Sequence, residues 1–435
     1  MTVINGARTN LAGPQPGGSR VRRVPPNLFG IAFGLAGLGE AWQAAGPVLG
    51  TPGAVADAIY ILAAGVWVVL VAAYAAQGPR RMLADLRDPV LTPFPSLAAI
   101  TPMILAAALA TAAFTAGRIL VILFLAVTIA LGGWLTGQWI AGDLDADSLH
   151  PGYYLPTVAG GLVGADAAAQ VHLHALAEAS FGIGILCWLL VGSLLLNRLF
   201  FRPMLPPPLV PTLAIEFAPP VVAGVAYFAL TGGAVNFIAA ALGGYAVLMA
   251  VVQLRFVPLY ARLRFSPGFW SFTFSYAAGA TVALGWITAT KPPGATAYAA
   301  VVITLITAWI AAIAARTAVA AARGQLLPQP PPPAGRRPAQ PGTSAPPEPA
   351  RREPDRSLPM AKHASIPWTR LRRVLAAAPG RFPGGSAWIE PMSLLAVARE
   401  RLAARQRSQQ ETSPPAAGDE HHGDAAGCSP RSGRA

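Results

Sequence analysis

Of the 435 residues, 54% are hydrophobic and only 12% charged, and the formal net charge is +13. Soluble domains carry about 25% charged residues, so this composition excludes an ordinary soluble globule and points to a membrane protein. The two cysteines, Cys187 and Cys428, lie far apart in the chain and exclude a disulfide framework.

Residues 1–26 contain no apolar h-region, so no cleaved signal is expected and the amino terminus should stay on the side where it starts. From residue 27 to about 323, apolar runs near 20 residues recur, each long enough to cross about 30 Å of hydrocarbon. Ten spans are predicted, at 27–46, 54–76, 96–116, 118–140, 152–170, 173–200, 211–231, 234–256, 267–290 and 296–322. Residues 324–435 are rich in proline and arginine and cannot bury enough apolar surface to fold alone, so they read as a disordered tail.

The first span, NLFGIAFGLAGLGEAWQAAG, is unusually rich in glycine. Glycine costs a helix about 1 kcal/mol relative to alanine, so a simple anchor would not be built this way. Gly30, Gly34 and Gly37 fall near one helical face at spacings of four and three. They leave room either for an ion path or for close approach of a neighbouring helix. Internal prolines then follow in the third span (Pro102), the fifth (Pro156) and the seventh (Pro219 and Pro220), and the ninth carries Gly279 and Gly285. The even spans contain no proline within these bounds.

Proline removes a backbone hydrogen bond, and freed backbone groups survive at membrane depth only where protein or a water-filled cavity satisfies them. The expected fold is therefore an all-α membrane protein of ten transmembrane helices, arranged as five parallel helical hairpins with an inner ring of odd helices around a pore. The competing explanation is that small residues merely permit tight helix packing.

Charge sets the expected orientation. With a cytoplasmic amino terminus, the inside loops hold Arg80, Arg81, Arg87, Arg198, Arg202, Arg255, Arg262 and Arg264, against Arg118 and Lys291 outside. Both termini are then cytoplasmic. The tail adds 16 basic and nine acidic residues, and its segment IPWTRLRRVLAAA, around Trp368 and Arg370, suits either anionic lipid headgroups or plain solvent.

Two carboxylates sit within spans, Glu216 early in the seventh and Glu40 late in the first. Intramembrane acids are costly and usually functional. Either they face away from any anion path, Glu216 pairing with Arg198 or Arg202, or they carry protons. His172 and His174, like His421 and His422 in the tail, lack a full tetrahedral ligand set nearby, so no metal is expected. No P-loop or GxSxG serine is present, no enzyme activity or cofactor is implied, and no nucleic-acid motif appears.

Four pieces in order, FGIAFGLAGLGEAW, HPGYYLPTVAGGLVGA, LPPPLVPTLAIEFAPPVVAGVAYFAL and FSPGFWSFTFSYAAGA, resemble the tellurite-resistance/dicarboxylate transporter family. That family includes a bacterial tellurite-resistance membrane protein, plant slow-type anion channels, fungal malate permeases and fungal sulphite pumps. The resemblance implies a homotrimer with one pore per protomer, passing small anions down their electrochemical gradient, with a ninth-helix phenylalanine as gate. The aligned residue is Phe274, with Phe272 its rival; Ser275 stands where the plant channels have proline. An aromatic ring across a narrow apolar pore closes it by dewetting.

The sequence therefore predicts an anion channel or channel-like transporter of a bacterial plasma (inner) membrane, with membrane lipid and small inorganic anions or dicarboxylates as its partners. The bacterial source follows from the family and from arginine outnumbering lysine 30 to two. The alternatives within the family are a proton-coupled carrier of C4-dicarboxylates such as malate, in which Glu216 matters, and a sulphite or tellurite exporter.

Overall fold

Long runs of alanine, leucine, valine and isoleucine leave the backbone only itself to hydrogen-bond with in a bilayer, and the helix satisfies every group within one segment. The computed structural model describes residues 23–142 and 144–327. The tail segment around Trp368, and Cys428, His421 and His422, lie outside the described residues. Within them the structure is helical throughout, with no strand. The α-helices are α1 (Phe29–Leu49), α2 (Gly53–Ala75), the short α3 (Pro79–Arg87), α4 (Leu97–Leu109), α5 (Phe114–Ala141), α6 (Gly160–Gln170), α7 (His174–Phe201), α8 (Ala218–Thr231), α9 (Phe237–Tyr260), α10 (Ser271–Thr290) and α11 (Ala295–Ala322).

Five of these helices begin in a tighter coil. One or two 3₁₀ turns precede α1 (Pro26–Leu28), α4 (Phe94–Ser96), α6 (Pro151–Tyr154), α8 (Val210–Phe217) and α10 (Pro267–Trp270), and a π-turn, Leu155–Ala159, joins the third of them to α6. Every start has proline in its first two positions, where the missing N–H costs nothing and the fixed φ favours the helix.

Among the described residues, six helical segments are long and apolar enough to cross a membrane: α2, α5, α7, α9, α11 and Val210–Thr231. The first five have only 17–28% of their apolar stretch buried, whereas Val210–Thr231 has 72%. The exposed residues of α2, α5, α7, α9 and α11 are large and apolar, such as Val69, Leu123, Leu190, Leu254 and Leu305. Such a continuous apolar surface suits hydrocarbon and not water. The remaining predicted spans correspond to α1, α4, α6 and α10, which are shorter or rich in glycine, serine and threonine. A helix wrapped in protein meets side chains in place of lipid, so its sequence need not be apolar all round.

Contacts between helices order them. α1 touches α4, α4 touches α6, α6 touches α8, α8 touches α10, and α10 returns to α1; each of these five also packs against the long helix that follows it in the chain. The most extensive of these contacts is that of α1 with α10. A Cβ added at Gly34 would lie 2.6 Å from the Cβ of Thr273, and one at Gly37 would lie 2.8 Å from the Phe274 ring. These glycines therefore serve close approach of a neighbouring helix, and Gly30 alone of the three also borders open space.

The prolines behave differently from one another. Pro102 lies inside α4 and Pro156 inside the π-turn, but Pro219 and Pro220 occupy the first turn of α8. That pair starts a helix, where proline is tolerated, and does not kink one. The structure also extends α9 to Tyr260, so that it takes in Pro258 near its end.

Gly34→Ala should destabilise the protein by roughly 1–3 kcal/mol, because the neighbour it meets is a Cβ that cannot swing away. Gly65→Ala on α2, where an added methyl meets nothing, should be neutral or stabilising by up to about 1 kcal/mol. Melting of the two variants in detergent, followed by size-exclusion recovery, measures the difference.

Candidate functional site

The five 3₁₀ starts converge. The start of α1 touches those of α4 and α10, the start of α8 touches those of α6 and α10, and the π-turn of α6 reaches the start of α4. They enclose a cavity of about 200 Å³. Its lining includes Phe33 on α1, Leu97 on α4, Leu162 on α6, Val222 on α8, and Phe274 and Ser275 on α10. Polar groups lie nearer the starts, with Asn27, Tyr154, Thr212 and Ser271.

Among the described residues, no lysine, arginine, aspartate or glutamate lines this cavity. Its electrostatics come from the backbone. The first turns of a helix carry unpaired N–H groups, and the summed peptide dipoles place roughly half a positive charge at that end. Five such ends meet here. None has an acidic side chain in its first turn, and four have no side-chain cap. The exception is the start of α6, where His150 accepts a hydrogen bond from the Gly152 amide at Nδ1, 3.1 Å, while Nε2–H donates to the Val90 carbonyl at 3.0 Å. Both ring nitrogens are thereby committed to the neutral form. Burial pushes this imidazole down to about 4, opposed by the Val90 hydrogen bond and reinforced by Arg198.

Two of the lining rings stack on each other. Phe274 lies on Phe33 with ring centroids 3.6 Å apart and planes inclined by 18°. Its edge rests on Gly37. Phe272 is turned elsewhere, into a cluster with Tyr260 at 4.8 Å, Tyr276 at 5.8 Å and Trp309 at 6.1 Å. Of the two phenylalanines singled out from the sequence, only Phe274 lines the cavity.

The other predicted residues divide. Gly30 and Pro219 line the cavity; Gly34, Gly37, Pro102, Pro156 and Pro220 do not. Gly279 receives the Phe217 ring of the seventh predicted span, since a Cβ there would lie 2.6 Å from it. Glu216 is buried but absent from the cavity wall, and its partner is neither arginine. Arg198 donates to the backbone carbonyls of Pro203 and Asp147, Arg202 pairs with the Asp147 carboxylate at 3.7 Å, and Glu216 accepts from the Tyr154 hydroxyl at 3.0 Å. Glu40 meets a carboxyl that sequence reasoning passed over, Asp166 on α6, which also accepts from Gln170 at 2.7 Å.

His172 and His174 lie with ring centroids 6.4 Å apart, and among the described residues no third ligand joins them. Sequence reasoning also passed over Phe33, His150 and Tyr154. The first was one aromatic among many, and the other two stood inside a quoted motif without a partner to mark them.

Comparison with known proteins follows this geometry. Residues 23–318 match the family described as SLAC1, voltage-dependent anion channel. The chain is also similar to a tellurite resistance protein TehA homolog of Haemophilus influenzae, 29% identical over 270 residues that make up 60% of this chain and 80% of the relative.

Two outcomes test the cavity. With Cys187 and Cys428 replaced by serine, Ser271→Cys should react with a water-soluble, membrane-impermeant thiol reagent, whereas Ser180→Cys, at a position of zero exposure on α7, should not. Because the folded protein holds His150 below its unfolded value of about 6.5, its contribution to stability is complete above that pH. It is lost as the pH falls towards 4, by up to about 3 kcal/mol. Melting curves at pH 7.5 and 4.5 should show a smaller acid loss for His150→Gln than for the wild type.

Proposed function

The chain belongs to the SLAC1 family of voltage-dependent anion channels, and from that premise we propose that it is an anion channel or channel-like transporter of a bacterial inner membrane. In this reading ten membrane-crossing helices form five hairpins and small anions pass down their electrochemical gradient along the axis of the five-helix cycle. The observation that carries it is the cavity's electrostatics: five helix amino termini, four of them without a side-chain cap, around a space that no ionised side chain lines among the described residues. Such a wall attracts an anion without binding it tightly, as conduction requires.

The same geometry supports an orientation. Arg80, Arg81 and Arg87 in α3, Arg198 and Arg202 at the end of α7, and Arg262 and Arg264 beyond α9 all precede starts that meet at the cavity. The positive-inside rule places that end in the cytoplasm, so the cavity is the inner vestibule and both termini are cytoplasmic. Phe274, stacked on Phe33 in the vestibule wall, is the gate, because two facing rings offer an ion nothing in place of its water. The protomer assembles in threes, as the family resemblance implies.

Two features bear on the substrate. Glu216 stands off the vestibule wall, which favours passive flow over proton coupling. The buried carboxyls Asp166 and Glu216, with the half-buried Glu40, support the second reading, a proton-coupled carrier of C4-dicarboxylates such as malate. The tellurite-resistance name of the relative suits export of an oxyanion by the same path, and sulphite export would use it equally.

Proteoliposomes holding the purified protein decide between these. Chloride, nitrate, sulphite and malate fluxes should follow the electrical gradient and ignore a pH gradient. Phe274→Ala should raise them by roughly tenfold or more, while Phe272→Ala should not. Flux that needs a pH gradient, or no effect of Phe274→Ala, would favour the carrier.

A further inference from the structure

Tyr154 belongs to two walls at once. It lines the vestibule, and it also borders a second hollow of about 470 Å³ between α7 and α9, whose other walls include Phe181, Trp188, Phe237 and Tyr245. Exposed apolar residues of the two helices, Leu189, Phe237 and Ile238, stand in its wall. A single tyrosine thus stands between the vestibule, whose wall also holds Asn27, Thr212 and Ser271, and a groove walled mainly by apolar side chains.

One hydrogen bond fixes where this ring stands. Its hydroxyl donates to Glu216 Oε2 at 3.0 Å. Glu216 is 8% exposed, and its Oε1 has no partner among the described residues. Room for the hydroxyl is left by Gly192 of α7, where an added Cβ would lie 3.1 Å from it. Arg198 is engaged with backbone carbonyls and gives Glu216 no ion pair. Glu216 is therefore a buried carboxyl whose one side-chain hydrogen bond goes to a vestibule-lining residue.

We infer that Glu216 is a positioning residue: it holds Tyr154 back in the vestibule wall and so keeps the inner half of the anion path wide. The reason is the cost of leaving a hydroxyl unpaired in apolar surroundings. Without its acceptor, the Tyr154 hydroxyl has hydrocarbon on the groove side and water on the vestibule side. It turns towards the water, and the ring enters the path. The inference rests on the channel reading, and it assigns Glu216 a role that moves no proton.

The test is anion flux in proteoliposomes for wild type, Glu216→Ala, Glu216→Gln, Tyr154→Phe and the double variant Glu216→Ala with Tyr154→Phe. Glu216→Ala should reduce flux by about five- to tenfold, the population change expected when one buried hydrogen bond is lost. Glu216→Gln keeps an acceptor oxygen and should stay near wild type. Tyr154→Phe has no hydroxyl to seek water, so adding Glu216→Ala to it should cost no further flux, and the double variant should match Tyr154→Phe alone.

Normal flux in Glu216→Ala would overturn the inference. So would a Glu216→Gln variant as slow as the alanine variant, or a double variant slower than Tyr154→Phe alone, since Glu216 would then act by charge or proton and not through Tyr154. Absence of flux in the wild type for every anion would instead remove the channel reading beneath it.

Discussion

Gly34 and Gly37 let α1 lie so close to α10 that a single added methyl at either position would meet a side chain of the facing helix. That approach closes the cycle of five buried helices. It also brings Phe33 over Phe274 face to face. A larger residue at either glycine would push the helices apart, opening the cycle and unstacking the rings together. Helix contact and ring stack are thus one packing event, since the surface that joins the helices also sets the distance between the rings.

A second constraint follows from joining five helices by the same end. Their positive termini repel one another, and in a water-free core nothing would offset that repulsion. A solvated cavity at the junction relieves it, and the prolines reduce it by removing N–H groups that would otherwise point inward. The absence of acidic residues from every first turn then has a clear sense. A carboxylate would stabilise any one helix alone, but it would cancel the positive field where the five ends meet. Local helix stability is given up in favour of the property of the assembled ring.

Much of this was legible in the sequence, but unevenly. Apolar runs of bilayer length mark a helical membrane protein without further help, and the ordered motifs of the odd spans point to the family that residues 23–318 match. The face formed by Gly30, Gly34 and Gly37 was readable from helical spacing alone, but not its occupant, because Thr273 and Phe274 lie at the far end of the domain. Glu216 shows the same limit. Charge complementarity and nearness in sequence suggested Arg198 or Arg202, yet those arginines turn to carbonyls and to Asp147, and the carboxyl meets Tyr154, 62 positions away. Spacing reports which residues share a face; it does not report which face is opposite.

The stack of Phe33 on Phe274 joins one of the earliest segments of the domain to be synthesised with one of the last. Helices α1 to α9 can all be inserted while the ring still has a gap where α10 belongs. A chain cut short there would hold a cleft lined by glycine and polar backbone ends, open to lipid or to any other half-made protein nearby. The contact that closes the five-helix cycle is therefore made last, and a ribosome that stalls before α10 leaves behind an open ring, one for quality-control proteases to find.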